Sequence, residues 1–187
     1  MSIDNQVFKR IDYTAQPLAR GEYDNCSFSG CMFAGADLSH ITFTECEFED
    51  CNFSMAKLNN TALKDVRFSN CKVLGVNFSD CNTFLLSMAF ADCQLDLASF
   101  HKLSLKNNKF TNCSMQETDF SGVDLTGTVF DNCELSGAVF ERTTLEKADF
   151  RTSRNYSIDP EINKVKKAKF SVNGLPGLLE KYSIVVE

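Results

Sequence analysis

Large apolar residues recur along this chain at every fifth position. From Tyr23 to Phe150 the series includes Phe28, Phe33, Leu38, Phe43, Phe48, Phe53, Leu58, Leu63 and Phe68. Two residues before each stands a small side chain, as in Cys26, Cys31, Ala36, Cys46, Cys51, Ala56 and Thr61. All nine cysteines occupy that small position. A period of five suits neither local template. Five residues of α-helix advance about 500°, so the apolar side would wander around the axis. On a straight strand, successive members would fall on opposite faces. The pattern works if the backbone turns a corner every five residues and brings each large residue inward again. That is a solenoid, in which each unit contacts only its neighbours.

A longer stride fixes the coil. Cys31, Cys51 and Cys71 are 20 apart, as are Cys93, Cys113 and Cys133. Twenty residues make four pentads, hence a square coil. The same stride sorts the inward residues by side. One side is a Phe column (Phe28, Phe48, Phe68, Phe90, Phe110, Phe130, Phe150) and one lies behind the Cys ladder. A third changes from Leu38 and Leu58 to Phe78, Phe100, Phe120 and Phe140, and a fourth ends in Leu105, Leu125 and Leu145. The register slips once, by two residues within 81–88, which predicts a small bulge with Phe84 and Leu86 pointing outward. Such a bulge is either an insertion with its apolar residues folded down or a contact knob for a partner. Asp50, Asn70, Asp92, Asn112 and Asn132 each precede a ladder cysteine. Asx side chains favour turns and bond local backbone, so these read as structural corners.

The pattern is worn at both ends. Phe8, Tyr13 and Leu18 keep the phase, but Pro17, Lys9 and Arg10 break the small position, so residues 1–22 read as an N-terminal cap on a repeat region spanning 23–150. After Phe150 the pattern dissolves. Residues 151–187 read as a C-terminal cap or dimerisation tail. Leu175, Leu178, Leu179 and Tyr182 follow helical spacing, with Asn173 as N-cap of a short helix over 173–182, and 183–186 reads as a strand. The expected class is therefore all-β, a quadrilateral β-helix with a short C-terminal helix.

Composition narrows the chemistry. The net charge of −6 argues against direct nucleic-acid binding by bulk electrostatics. No apolar run approaches the length of a membrane span, and the first ten residues lack an apolar signal core, so a cytoplasmic location is expected. The cysteines are then expected as reduced thiols. His40 and His101 lie outside the inward positions, no Ser or Cys has an evident base partner, and no phosphate loop appears, so no enzyme is expected. Cys26, Cys31, Cys46 and Cys51 have loosely zinc-like spacing, but Ala, Val and Thr fill equivalent positions, which a ligand site would not accept. Neither metal nor cofactor is expected. Charge is more informative. Between Glu22 and Phe150 there are nineteen acidic and nine basic residues, and Glu45, Glu47, Glu49 and Asp50 cluster on outward positions. Plain solubility is one reading; a negative surface offered to a DNA-binding cleft is the other.

Units such as CSFSG, CMFAG, ADLSH, CEFED, TDFSG, VDLTG and ADFRT resemble the pentapeptide-repeat family, with its consensus A(D/N)LXX, over about residues 20–150. The resemblance implies a right-handed quadrilateral β-helix. Residues 158–187 look like the end of the Qnr quinolone-resistance and microcin B17 immunity group. That likeness implies a homodimer in which Leu175, Leu178, Leu179 and Tyr182 make contacts, and a DNA-mimicking rod that engages DNA gyrase or topoisomerase IV. This chain lacks the longer projecting loops of the Gram-negative Qnr proteins and has only the bulge around Phe84. An interaction module for an unrelated protein partner is the competing reading.

Overall fold

The structure, a computed structural model, describes residues 2–185. The chain winds as a four-sided parallel β-solenoid. In chain order around the coil we number the sides 1 to 4, by the inward residues Ile3, Phe8, Tyr13 and Leu18 of the first rung. Side 1 begins with the strands β1 (Ser2–Asp4), β3 (Glu22–Asp24), β5 (Thr42–Thr44) and β7 (Ala62–Lys64), which form a four-stranded sheet. Side 2 carries β2 (Val7–Lys9), β4 (Ser27–Ser29), β6 (Glu47–Glu49), β8 (Val66–Ser69), β9 (Met88–Ala91), β10 (Lys109–Thr111) and β11 (Val129–Asp131) in a seven-stranded sheet. Every pairing is parallel; residues pair with those 20 further on, as Phe28 does with Phe48, and with those 22 further on across the insertion, as Phe68 does with Phe90. Sides 3 and 4 are held by single bridges such as Met32 to Asn52 and Ser99 to Asp119.

The corner is what makes five residues a unit. At the second position after most large residues the backbone adopts positive φ, about 49–62° at Asn25, His40, Asp50, Asn70, Asp92, Asn112 and Asn132. Left-handed backbone of this kind turns the chain through a corner and suits Asn and Asp. The Asx corners then bond along the rod: Asn70 Nδ2 donates to Asp50 Oδ1 at 2.6 Å, and Asn112 and Asn132 each donate to the corner one rung before at 2.9 Å.

Inside, the rings stack rung on rung. Side 2 runs from Phe8 to Phe170 with ring centroids 4.6–5.7 Å apart and nearly parallel planes. Phe78, Phe100, Phe120 and Phe140 form a second column on side 4, edge-on to the first. Offset stacks and edge contacts are the arrangements aromatic quadrupoles favour. The small position is also a donor position. Thr61, Thr118, Thr128 and Thr143 each give their hydroxyl to a carbonyl 23 residues back at 2.8–2.9 Å, and the cysteine thiols point at the same set of carbonyls.

Several boundaries differ from the sequence expectation. The N-terminal segment is a full rung: β1 pairs with β3 and β2 with β4 in the common register. The coil also continues beyond Phe150. Thr144 bridges Lys164, Asp149 bridges Lys169, and Phe170 stacks on Phe150 at 5.5 Å. The pattern is hidden there because Tyr156 enters the core one residue late and Asn163 fills a small position, bonding the Phe140 carbonyl. Among the described residues the tail holds no α-helix. Val172–Leu178 and Glu180–Tyr182 are 3₁₀ turns, and Ser171 is the N-cap rather than Asn173. Pro176 lies inside the first turn and has no N–H to extend a helix. The expected strand at 183–186 is absent over its described part: Ser183 is left-handed at φ 52, Ile184 and Val185 are irregular, and Val186 lies outside the described residues.

Candidate functional site

The interior is filled. An apolar void of about 10 Å³ beside Leu38, Phe53, Leu58 and Phe78 is no larger than one water. The nine cysteines are all buried and free. Burial pushes the Cys46 thiol up to about 11 and Cys81 up to about 12, so both are protonated and unreactive at neutral pH. Function therefore has to be sought on the outer faces, the bulge and the tail.

The acidic cluster is spread over a face and its two corners. Glu47 and Glu49 project from β6 on side 2, while Glu45 and Asp50 are the corners before and after it. All four are exposed. They are not equally free: Arg67 Nη1 donates to Glu47 at 3.1 Å from the next rung, and Asp50 accepts from Asn70. Further along side 2, Asp131 pairs with Lys109 at 3.3 Å. Asp149 meets Arg151 at 2.7 Å and Lys169 at 3.6 Å, and the Arg151 hydrogen bonds hold its carboxyl below the usual range. Side 2 thus alternates in sign, a balance invisible until rungs 20 residues apart are laid side by side.

The bulge falls on side 1. Asn82 bridges Ala62, and Ser87 donates to the Leu63 carbonyl at 2.9 Å, so residues 82–87 form the rung after β7. Phe84 projects, 68% exposed, with Lys64 Nζ 6.0 Å from its ring centroid. Leu86 does not project, correcting the sequence reading. It is partly buried against the core, taking the inward position of its rung. The outward partner of Phe84 is Leu85, 65% exposed at φ 57. Alternation along the chain could not reveal this, because the two inserted residues reset the phase.

The four tail residues separate likewise. Leu178 packs against the core and Leu179 is half-buried, whereas Leu175 and Tyr182 are exposed. Tyr182 donates to Glu161 Oε1 at 2.8 Å, and Lys181 Nζ holds Asp159 and Glu161 at 2.7 Å each. Val172, Ile184 and Val185 are exposed as well, giving the end of the rod an apolar character that helical spacing did not indicate. His40 is a corner bonded to Asn60 at 3.1 Å, and His101 lies 3.9 Å from Asp119. No group of three or more metal-ligating side chains gathers among the described residues, and no helix among them is long and apolar enough to cross a membrane.

Comparison with known proteins follows this geometry. The family described as "Pentapeptide repeat region" matches residues 22–100, and that described as "Pentapeptide repeats (8 copies)" matches 90–127 and 118–154. No curated protein sequence matches the chain. Among solved structures, a trypsin-treated variant of QnrB1, a plasmid-mediated fluoroquinolone resistance protein, is 18% identical. The match covers 100% of this chain and 99% of that one with a TM-score of 0.62. Full-length QnrB1 is 19% identical, covering 98% and 100%, at a TM-score of 0.42. HetL, a pentapeptide repeat protein involved in heterocyst differentiation regulation from the cyanobacterium Nostoc sp. strain PCC 7120, is 15% identical, covering 93% and 86%, at 0.49. The trypsin-treated QnrB1 variant shares the fold over its full length.

Proposed function

The chain belongs to the pentapeptide-repeat family, and on that premise we propose that it is a non-enzymatic rod that binds a type II topoisomerase, DNA gyrase or topoisomerase IV, in the cytoplasm. There it modulates the enzyme or protects it from quinolones or a peptide toxin. The observation that supports this most is the acidic excess, nineteen acidic against nine basic residues from Glu22 to Phe150, placed outside an apolar core. A cationic DNA-binding cleft would attract such a rod electrostatically. The likeness is partial in magnitude. A net −10 over about seven rungs of roughly 4.8 Å is one charge per ~3.4 Å, about half the density of duplex DNA at ~1.7 Å per charge. Binding should accordingly be salt-sensitive and weaker than that of DNA. Glu45, Glu47, Glu49 and Asp50 are the proposed contact cluster, with Phe84 as the apolar projection. The exposed Leu175 and Tyr182 would join two rods end to end.

A gyrase supercoiling assay, run with and without a quinolone, tests this. Micromolar protein should restore supercoiling in the presence of drug or inhibit it without drug. No effect of either kind, together with no binding to gyrase or topoisomerase IV, would remove the reading. The projection of only two inserted residues at 82–87 favours a second one, an interaction module for an unrelated protein, and recovery of such a partner from native lysate in place of topoisomerase would support it.

A further inference from the structure

Side 1 differs from the others in how its charge is arranged along the rod. Nine rungs stack there from Ile3 to Val165, and the bulge is the fifth, centred on Leu86. The first three rungs present Asp4, Glu22, Asp24 and Glu45, and the one basic residue beside them, Arg20 at the corner with side 4, lies 4.0 Å from Asp37 of that side. The last two present Lys147, Lys164, Lys166 and Lys167 against a single acid, Glu146. Those four acids of the first rungs and the four lysines are exposed, and none of them forms an ion pair among the described residues. Nearer the middle the charges cancel, with Lys106 3.2 Å from Asp124 and Lys64 adjoining Asp65.

Like charges are also stacked. Asp4 and Asp24 are ladder partners, and the corners Lys147 and Lys167 lie one rung apart. Like charges directly paired across a ladder are destabilising. An acidic end, a central apolar knob of Phe84 and Leu85, and a basic end on one face are self-complementary under a two-fold axis through the knob. We propose that side 1 is a self-association surface on which a second copy of this chain lies antiparallel. The acidic rungs of each copy face the lysines of the other, and the two bulges meet at the centre. An extended polyanion such as duplex DNA fits worse, because half of the face would repel it. The contact is isologous and closes on itself. It is separate from the end-to-end contact of the tail and does not rest on the topoisomerase reading, with which it shares only Glu45 and Phe84.

Sedimentation of the full chain reads it out. Mass in 20 mM NaCl should be at least twice that in 500 mM NaCl, since salt screens exposed charges. The triple variant Lys164→Glu, Lys166→Glu, Lys167→Glu and the triple variant Asp4→Lys, Glu22→Lys, Asp24→Lys should each lose this increase, with unchanged circular dichroism. Mixed in equal amounts, the two should regain it, because each then meets its opposite at both ends. Phe84→Ser, on an exposed side chain, should weaken the low-salt species about tenfold, as loss of a central apolar contact does. A wild-type mass independent of salt overturns the proposal. So does failure of the mixed variants to associate, or a duplex-DNA complex lost in the lysine variant without any self-association.

Discussion

Cys, Ala, Val and Thr share the small position because two demands act on it. The rung spacing leaves room for one small group, and a donor there finds a carbonyl from the rung before. Thr118 uses that carbonyl well, at 2.9 Å to Leu95. Cys113 uses it poorly, at 3.7 Å to Phe90. Cys113→Ala should therefore cost less than about 1 kcal/mol, the scale of one net hydrogen bond. Phe110 is fully buried and stacks on Phe90 at 5.7 Å and Phe130 at 5.2 Å. Phe110→Ala should cost about 3–5 kcal/mol, the range for a truncated core aromatic. Guanidinium unfolding followed by circular dichroism separates the two. An unfolded Cys113→Ala protein would show that the thiol does more than fill space. Both roles were legible in the sequence, since residue type at one position repeats many times; the hydrogen bond was not, because its acceptor is 23 residues away.

At the level of elements, the tail shows how spacing can mislead. Leu175, Leu178, Leu179 and Tyr182 satisfy a helical stripe, yet Gly174, Pro176 and Gly177 leave only 3₁₀ turns that fold over Tyr156. Gly177 gives its carbonyl to the Ile158 amide at 2.9 Å, and a Cβ added there would overlap the Tyr156 carbonyl. Gly177→Ala should lift the turn from the end of the rod, at a cost of about 1–3 kcal/mol for a forced overlap. Hydrogen exchange should then rise at Ile158 and within 172–179 while the Phe columns stay protected. Uniform protection would mean the tail contributes no cap. The bulge follows the same logic: its place was readable from the phase slip, but which of Phe84, Leu85 and Leu86 turns inward depended on the rung below it.

For the molecule as a whole, the exposed apolar end predicts pairing of rods. In 500 mM NaCl the full chain should scatter light as a dimer, and Leu175→Glu should scatter as a monomer, since Leu175 is exposed while Leu178 serves the core. A wild-type monomer at that salt would assign the tail to capping alone. The net charge was available from composition, but its layout was not. Glu47 meets Arg67, and Asp149 meets Arg151 and Lys169, only once the chain is wound.

By itself the sequence determined the coil: a five-residue unit, four units per turn, and the residue type lining each side. It could do so because every rung repeats the same local problem, and the solution is written into each pentad. Tertiary structure decided whatever depends on neighbours 20 or more residues apart. That includes the balance of charge on side 2, its segregation on side 1, the inward turn of Leu86, and the continuation of the coil to Phe170 beneath a capping tail. Contacts between rungs join residues that local pattern treats as unrelated, so their chemistry appears only when the rungs are stacked.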